Sequence, residues 1–379
     1  MTITTVKKAI EAAQHPILLE TPAQLAEAKT AWASKTILGI DTEFVRERTY
    51  RAELGLVQIS DGETAWLLDP IAAKDLEALR WLLTQPDILK VLHSCSEDLE
   101  VLLNSVGVLP QPLVDTQIAC AMLGQPLQMG YHSACEWLLN VPIDKEQTRS
   151  NWCKRPLSER QLHYAAMDVV LLPEMLELLR TRLEDLGRWS WLEEDVARMQ
   201  RNAQLTVAPE EAYLRFNGGG RLDDPSLRVL RALACWREQT AIDRNLARGF
   251  VIPDSALVQM AKAKPASIGD LRNIDGIHPR ALKRNQQALL QLISGADSDR
   301  SPLTRHEQLS DVQRRKINEM RKLVQAKAQQ LGVEPALLAS RRELEKLIRA
   351  NGNGEPVPER FTGWRKAVIT DELMSVAQA

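Results

Sequence analysis

The sequence lacks any apolar run long enough to cross a membrane, because no stretch reaches about 18 consecutive apolar residues. Its first residues, MTITTVKKAIEAAQHPILL, also lack a basic region followed by a continuous apolar segment. We therefore expect neither a signal peptide nor a membrane span, and we predict a cytoplasmic protein.

Cysteine is scarce and scattered, which excludes two further classes of protein. The five cysteines form no CxxC pair, and no histidine lies at zinc-ligand spacing from them. We therefore expect reduced thiols in helices and core, and neither a zinc finger nor a disulfide framework. The five are Cys95, Cys120, Cys135, Cys153 and Cys235.

Net charge is also nearly absent, at −2 over 379 residues, but this small value conceals a division along the chain. Residues 221–379 hold 27 Lys or Arg and 19 Asp or Glu, whereas residues 1–220 hold 21 and 31. This division suggests a cation-binding catalytic part followed by a part that binds nucleic acid. A charged surface that serves only solubility explains the same counts. The length predicts two or three domains.

The stretch TILGIDTEFVR, residues 36–46, reads as a buried strand that carries two acidic residues. Asp41 and Glu43 are two apart, so their side chains share one face of the strand. Two like charges in apolar surroundings are unfavourable unless cations compensate them. The alternative is an acidic strand edge that faces solvent.

Two later helices carry further acidic residues. Asp98 lies in the first turn of a helix predicted at 97–106, where attraction to the helix dipole explains an acidic residue equally well. Ser158 and Gln161 form a capping-box pattern that opens another helix, on which Tyr164 and Asp168 are four apart and therefore neighbours. Such a pair is often incidental, but all these residues fall within one domain-sized span.

The same span contains the signals of a sheet that begins with adjacent antiparallel strands. Residues 54–60 and 64–68 alternate and flank an Asp-Gly turn, which is typical of a hairpin. Further strands are predicted at 89–93 and 113–115.

Taken together, five segments resemble the motifs of the DEDD superfamily of 3′→5′ exonucleases, in its tyrosine-bearing subgroup. They are IDTEFVRERTY, LGLVQISDG, HSCSEDLEVL, DTQIA and W-x-x-RPL-S-E-R-Q-x-x-YAAxDV, within residues 20–200. The resemblance implies an α/β exonuclease domain with a ribonuclease H-like mixed sheet and flanking helices. It also implies five catalytic residues, of which the four carboxylates bind two divalent metal ions, Mg²⁺ or Mn²⁺. The five are Asp41, Glu43, Asp98, Tyr164 and Asp168.

This resemblance implies metal-dependent removal of nucleotides from the 3′ end of RNA, with release of nucleoside monophosphates. The expected substrates are structured small RNAs such as tRNA precursors, and Tyr164 is expected to orient or help deprotonate the attacking water. A DNA 3′→5′ exonuclease is the alternative, since such enzymes share these carboxylates. A non-catalytic RNA-binding protein is disfavoured because no acidic ligand is missing. The sequence identifies no particular protein partner, and no membrane partner is expected.

Beyond residue 200 the sequence becomes rich in helical patterns, and residues 216–220 and 294–301 read as flexible joints. Two helical units follow, each with a Val-x-Pro point, and they resemble HRDC domains, which are all-helical modules that bind nucleic acid. We therefore predict an exonuclease domain at 1–205 and two all-α helical-bundle domains at 221–297 and 306–379. Six basic residues are expected to face phosphates, although a solvated helix face is equally possible: Arg237, Arg244, Arg248, Arg280, Lys283 and Arg284.

Overall fold

The computed structural model of the chain describes residues 3–143, 150–216, 219–305 and 309–379. Its strands are β1 (Ile17–Leu19), β2 (Ile37–Val45), β3 (Glu53–Ser60), β4 (Ala65–Leu68), β5 (Leu89–Leu92) and β6 (Leu113–Asp115). Within these ranges no helix combines the length and the apolar character needed to cross a bilayer.

The helices up to residue 204 are α1 (Ile3–Gln14), α2 (Pro22–Trp32), α3 (Pro70–Ala73), α4 (Glu77–Thr84), α5 (Ser96–Val106), α6 (Thr116–Met122), α7 (Tyr131–Leu139), α8 (Glu159–Met167), α9 (Leu172–Asp185) and α10 (Trp189–Gln204). The next are α11 (Asp224–Asp243), α12 (Arg248–Val251), α13 (Asp254–Ala263), α14 (Ile268–Arg272) and α15 (Pro279–Gly295). The last are α16 (Asp311–Leu331), α17 (Pro335–Leu338), α18 (Arg341–Asn353) and α19 (Asp371–Gln378), with a π-helical turn at Lys366–Thr370 before α19.

One mixed sheet organises the first half of the chain, in the order β1-β4-β3-β2-β5-β6. The pairs β2/β3 and β3/β4 are antiparallel, as the hairpin pattern predicts, whereas β1/β4, β2/β5 and β5/β6 are parallel. Helices α5 and α9 pack against the central strand β2. The predicted fold class, an α/β domain with a mixed sheet and flanking helices, is confirmed.

Strand β1 was not predicted, because three residues are too few to show a period. The helix that begins at the Ser158 capping box is also shorter than the sequence suggests, because Asp168 was expected to lie on it. Helix α8 begins after the capping box at Ser158 and ends at Met167, so that Asp168 is its C-cap residue. Val169 and Val170 lie in the turn that leads into α9.

Two stretches were predicted as flexible joints, at 216–220 and 294–301. The structure describes only part of the first, and it shows hydrogen bonds that hold the second. Asn217 and Gly218 of the first lie outside the described residues. The second, at 294–301, continues α15 and is tied to α11 by two arginines. Arg228 donates to the carbonyl oxygens of Asp299 and Ser301, and Arg231 forms an ion pair with the Asp299 carboxylate. The expectation of a flexible second joint is therefore wrong, because these contacts hold its backbone.

The chain forms two compact units that do not follow sequence order. The first contains the sheet with its helices, through residue 204, and also residues from 309 onward. The second contains residues 205–305 and the short segment 46–52, which follows β2. In the second unit the backbone N–H of Ala247 donates to the Arg48 carbonyl, and Tyr50 donates to Glu238.

A buried ion pair joins helix α10 to the C-terminal helices within the first unit. The guanidinium of Arg365 donates to both carboxylate oxygens of Asp195 at 2.6 and 2.7 Å, and their side chains are 1% and 5% exposed. Burial by itself disfavours the carboxylate, but the hydrogen bonds and charge of Arg365 hold the pKa of Asp195 below its usual value. Beside this pair, the rings of Trp191 and Trp364 stack with centroids 4.4 Å apart.

We predict that Arg365→Met lowers the free energy of unfolding by about 3 kcal/mol, because it removes both short hydrogen bonds to the buried Asp195 carboxylate and leaves it only Arg198 and Arg360, at 3.4 and 3.5 Å. Arg201→Met is the matched control, since Arg201 also links α10 to the C-terminal segment but its pair with Glu359 is exposed, at 58% and 49%. It is expected to cost no more than about 1 kcal/mol. Urea denaturation measures both, and equal losses would contradict this reading of the buried pair.

Candidate active site

The site begins where helix α9 approaches strand β2 at Gly39. A Cβ atom at Gly39 would lie 2.8 Å from the Val169 carbonyl oxygen and 2.9 Å from the Leu172 Cβ, so only glycine permits this approach. Gly39, Asp41 and Glu43 are two residues apart along β2, so all three lie on the same face of the strand. Because Val169 follows Asp168, the close approach brings Asp168 to the strand that carries Asp41.

Asp98 joins them from the first turn of α5, where it is only 7% exposed. The Thr42 hydroxyl, on β2, donates a hydrogen bond to the Asp98 carboxylate. Its neighbour Glu97 lies in the same turn but is exposed. Attraction to the helix dipole accounts for Glu97, whereas the burial of Asp98 requires another explanation. We call Asp41, Glu43, Asp98 and Asp168 the carboxylate cluster.

Burial raises the pKa of every member of the cluster, and repulsion from other members adds to the rise for two of them, Asp41 and Glu43. Desolvation, followed by the charges of the other three members, raises the pKa of Asp41 well above its usual range. Desolvation and the charges of Asp168 and Asp98 raise the pKa of Glu43 to about 8. Desolvation raises the pKa of Asp98 to about 6, although the hydrogen bond from Thr42 opposes the rise. Desolvation also raises the pKa of Asp168.

Asp115 lies nearby and is a buried carboxylate whose hydrogen-bonding capacity is satisfied by the protein. Asp115, at the end of β6, is 1% exposed and accepts hydrogen bonds from the backbone N–H groups of Ser94, Cys95, Gln117 and Ile118. Four donors offset the loss of water around its carboxylate and cap α6. In the carboxylate cluster, Thr42 donates to Asp98 and His132 lies against Asp168, but over the described residues no side-chain donor reaches Asp41 or Glu43.

His132 is a site residue that the sequence reasoning missed. Its Nε2 lies 3.3 Å from Asp168 Oδ1, and Tyr164 donates a hydrogen bond to the same carboxylate. The ring of Tyr164 lies between those of His132 and Trp152, with centroid separations of 6.4 and 6.1 Å. No spacing rule relates His132 to Asp168 because the two are 36 residues apart.

Trp152 is held in place by Arg155, which lies three residues after it. The Arg155 guanidinium donates to the Gly55 and Trp152 carbonyl oxygens at 2.6 and 2.7 Å and forms an ion pair with Asp69. These contacts fix the segment that precedes α8 against β3 and α3. The arginine therefore positions the ring beside Tyr164 and is itself committed to the fold.

A cavity of about 330 Å³ opens onto the site, and Asp41, Tyr164 and Asp168 line it together with His93 and His132. The two nitrogens of the His93 ring are already engaged, with the Thr116 hydroxyl at 2.8 Å and the Met129 carbonyl oxygen at 2.9 Å. His93 therefore serves as a fixed wall of the cavity.

The chemistry of the cluster fits hard divalent cations. Its donors are carboxylate oxygens, which Mg²⁺ and Mn²⁺ prefer, and cations would relieve the repulsion that raises these pKa values. Over the described parts of the chain, no three acidic, histidine or cysteine side chains already stand at metal-ligand spacing. Thr42 donates to Oδ1 of Asp98 and His132 lies against Oδ1 of Asp168, so the second oxygen of each carboxylate is clear of these two partners.

The six basic residues expected to face phosphates divide into two groups. Arg237 is 3% exposed and pairs with Asp254, and Arg248 pairs through two nitrogens with Glu238, each at 2.6 Å. The expectation that Arg237 faces phosphate is therefore wrong, and the Arg248 guanidinium is committed to Glu238. The remaining four have exposed side chains: Arg244, Arg280, Lys283 and Arg284.

Comparisons with known proteins support this geometry. Residues 16–184 match the 3′-5′ exonuclease family, residues 226–293 match the HRDC domain, and residues 313–373 match the C-terminal HRDC domain of ribonuclease D. The chain is 36% identical to ribonuclease D of Pseudomonas paraeruginosa, over 94% of this chain and 96% of that protein. It is 35% identical to ribonuclease D of Escherichia coli, over the same shares.

The crystal structure of E. coli RNase D, described as an exoribonuclease involved in structured RNA processing, superposes with a TM-score of 0.89. The two chains are 33% identical, and the match covers 96% of this chain and 99% of that one. The exonuclease and HRDC resemblances predicted from the motifs are thereby confirmed.

The cluster predicts an unusual dependence of stability on pH in the absence of metal. The folded protein retains protons on Glu43 up to about pH 8, whereas an unfolded glutamate releases its proton near a pKa of about 4.3. The free energy of unfolding attributable to this group therefore falls as pH rises through this window. We expect Asp41→Asn, which replaces a carboxyl that the fold holds protonated above its usual pKa, to raise the melting temperature at pH 8 by about 2–4 °C and to raise it less at pH 5.

Asp115→Asn is the matched control, since it also removes a buried carboxylate but one that caps a helix. It should lower the melting temperature at both pH values. Added Mg²⁺ or Mn²⁺ should raise the melting temperature of the wild type at pH 8 and raise that of Asp41→Asn much less. Thermal unfolding in EDTA and then in metal measures these effects, and a metal-free Asp41→Asn protein less stable than wild type at pH 8 would contradict the prediction.

Proposed function

Since the chain belongs to the ribonuclease D family and is a 3′→5′ exoribonuclease, we propose that its carboxylate cluster carries out the hydrolysis. The family depends on divalent metal ions, and we propose that two ions, Mg²⁺ or Mn²⁺, bind the cluster. The observation that carries this proposal is that burial raises the pKa of all four carboxylates, whereas backbone N–H groups surround a structural aspartate such as Asp115.

The bound ions would supply a reactive nucleophile at neutral pH and neutralise charge on the leaving 3′ oxygen. The protein's own contribution is to hold the acidic oxygens on rigid elements, β2, α5 and the end of α8, while the cavity admits the terminal nucleotide. Each cycle would break one phosphodiester bond and release a nucleoside 5′-monophosphate.

Tyr164 is proposed to orient the attacking water. Desolvation and the charges of Asp168 and Glu43 raise the pKa of its hydroxyl, so the phenol stays protonated at neutral pH. A protonated phenol donates hydrogen bonds and does not accept a proton, and here it already donates to Asp168. Of the two roles expected from the sequence, orientation of the water agrees better with this geometry than proton abstraction.

The substrate is proposed to be RNA with a free 3′ end, such as a tRNA precursor or another small structured RNA. This proposal is supported by the relative described as acting in structured RNA processing and by the surplus of basic residues after residue 220. We propose that Arg244, Arg280, Lys283 and Arg284 are available to phosphates, because their side chains are exposed. Arg237 and Arg248 are left out of this set for the reasons given above.

We further propose that three domains share this work, at 1–205, 221–297 and 306–379, with catalysis in the first and RNA binding in the helical domains. A cytoplasmic location is proposed because such RNAs are found there, and the five free cysteines agree with a reducing environment.

The site makes a sharp prediction about two neighbouring acidic residues. Asp98→Asn should lower turnover by several orders of magnitude, because it removes a charged ligand from the cluster. Glu97→Gln, one residue away in the same helical turn, should leave turnover near wild type because its side chain is exposed. The measurement is the one-nucleotide ladder that shortening from the 3′ end produces on 5′-labelled RNA and on DNA of the same sequence, with Mg²⁺ or Mn²⁺. Asp98→Asn activity above about a tenth of the wild-type rate would contradict the proposal that Asp98 is a metal ligand. Faster hydrolysis of DNA than of RNA would contradict the proposed preference for RNA.

Two tyrosines in the same cavity allow a matched test of the proposed orientation of water. Tyr164→Phe keeps the ring but removes the hydroxyl, so turnover should fall roughly 100-fold while KM changes little. Tyr131→Phe is the control, because its hydroxyl donates to the Met167 carbonyl oxygen at 3.1 Å and not to a carboxylate. Equal effects of the two substitutions on turnover would leave Tyr164 as a packing residue.

A further inference from the structure

The helical part of the second unit contains a cavity of about 480 Å³ between the end of α12 and the start of α15. Phe250 lies on one side, and Arg280 and Arg284 lie on the other, with His278 and Gly276 at the edge. Its volume lies in the range of cavities that bind small molecules, which is also the size of a nucleotide. We call it the Phe250 cavity.

Phe250 presents an aromatic ring to solvent for no reason found in the fold. Its side chain is 59% exposed, whereas the next two residues, Val251 and Ile252, are 4% and 0% exposed and anchor the turn that carries it. The ring is therefore held on a fixed backbone with a face available for stacking. Stacking on an aromatic face is how proteins bind the bases of single-stranded nucleic acids.

The two arginines of the cavity have unsatisfied charge. Arg280 and Arg284 are four apart on α15, so their like charges face each other on one side of the helix. In the part of the chain that the structure describes, neither guanidinium forms an ion pair, in contrast to Arg231, Arg237 and Arg248. No aspartate or glutamate lines the cavity. An anion would relieve this repulsion.

A second cavity in the same unit shows that this arrangement is specific. It measures about 590 Å³, and the acidic residues Asp254 and Asp275 line it together with Arg215 and Lys262. Its lining therefore carries equal numbers of acidic and basic residues, and we call it the balanced cavity. Only the Phe250 cavity, of these two, combines an exposed ring with uncompensated positive charge.

We propose that the Phe250 cavity binds one unpaired nucleotide of the RNA, with the base stacked on Phe250 and the adjoining phosphate bound by Arg280 and Arg284. The nucleotide must be unpaired because both faces of a base inside a helix are covered by its neighbours. This inference rests on the proposed function, since it takes RNA as the ligand. It adds that the helical domain discriminates single-stranded from paired RNA, which charge alone does not do.

The test is equilibrium binding of the full chain in EDTA, where no turnover occurs, to two labelled RNAs. One is a long single strand without base pairing, and the other is the same strand annealed so that only its 3′ end is unpaired. Phe250→Ala should weaken binding of the single strand by roughly 5- to 150-fold and change binding of the annealed RNA little. Phe250→Leu should lose nearly as much, because it keeps apolar surface but removes the aromatic face.

Charge is tested across a salt series. Arg284→Gln should reduce the slope of log affinity against log salt by about 0.7, the value for one lost phosphate contact on a single strand. Lys262→Gln is the matched control, since it removes one positive charge from the balanced cavity, and it should leave the slope unchanged. Leu205→Ala, at an apolar residue that is 72% exposed in the same unit, controls for loss of exposed apolar surface.

Wild-type affinity of Phe250→Ala for the single strand, or equal losses on both RNAs, would overturn the inference. So would a slope for Lys262→Gln that falls as much as that for Arg284→Gln. Turnover of a short single strand by the wild type with Mg²⁺ or Mn²⁺ is measured separately. Its absence would contradict the proposed function, whereas the binding experiments in EDTA would still decide the role of the Phe250 cavity.

Discussion

The crowding of acidic oxygens beside strand β2 is the constraint on which the rest of the exonuclease fold depends. Desolvation raises the pKa values of Asp41, Glu43, Asp98 and Asp168, and repulsion from other members of the cluster adds to the rise for Asp41 and Glu43. A fold that served stability alone would not gather such groups, so the surrounding elements must hold them at a cost. Three devices do so: Gly39 admits the turn after α8, Thr42 restrains Asp98, and Arg155 fixes the segment before α8.

The same chain satisfies other buried carboxylates in two different ways, which makes the contrast with the cluster informative. Backbone N–H groups surround Asp115, and a bidentate guanidinium faces Asp195. Both arrangements compensate charge with protein atoms and serve structure. Where compensation by protein atoms is largely missing, as around Asp41, an external cation is the natural partner, and this contrast is the reason for proposing the cluster, rather than Asp115 or Asp195, as the catalytic one.

The arginines also fall into two groups, those paired with buried carboxylates and those that line an open cavity. Arg365 and Arg237 are buried against aspartates and maintain the packing of helices, whereas Arg280 and Arg284 face an open cavity beside Phe250. The surplus of basic residues in the second half of the chain therefore has two uses, and only the unpaired group is available to a polyanion. The segment at 46–52 belongs to the same compact unit as these residues, through contacts such as that of Tyr50 with Glu238.

The sequence by itself determined those features that depend on local pattern. The alternation that places Asp41 and Glu43 on one face, the hairpin after them and the capping box at Ser158 all depend on residues close together in the chain. The resemblance to the exonuclease family likewise rests on short segments of the sequence. Tertiary structure alone decided which side chains met over long separations. His132 lies against Asp168 from 36 residues away, and Arg365 reaches Asp195 across 170. It also decided that Arg237 is buried and Arg280 exposed, because helical periodicity shows which face is apolar but not which polar residue finds a partner from another element.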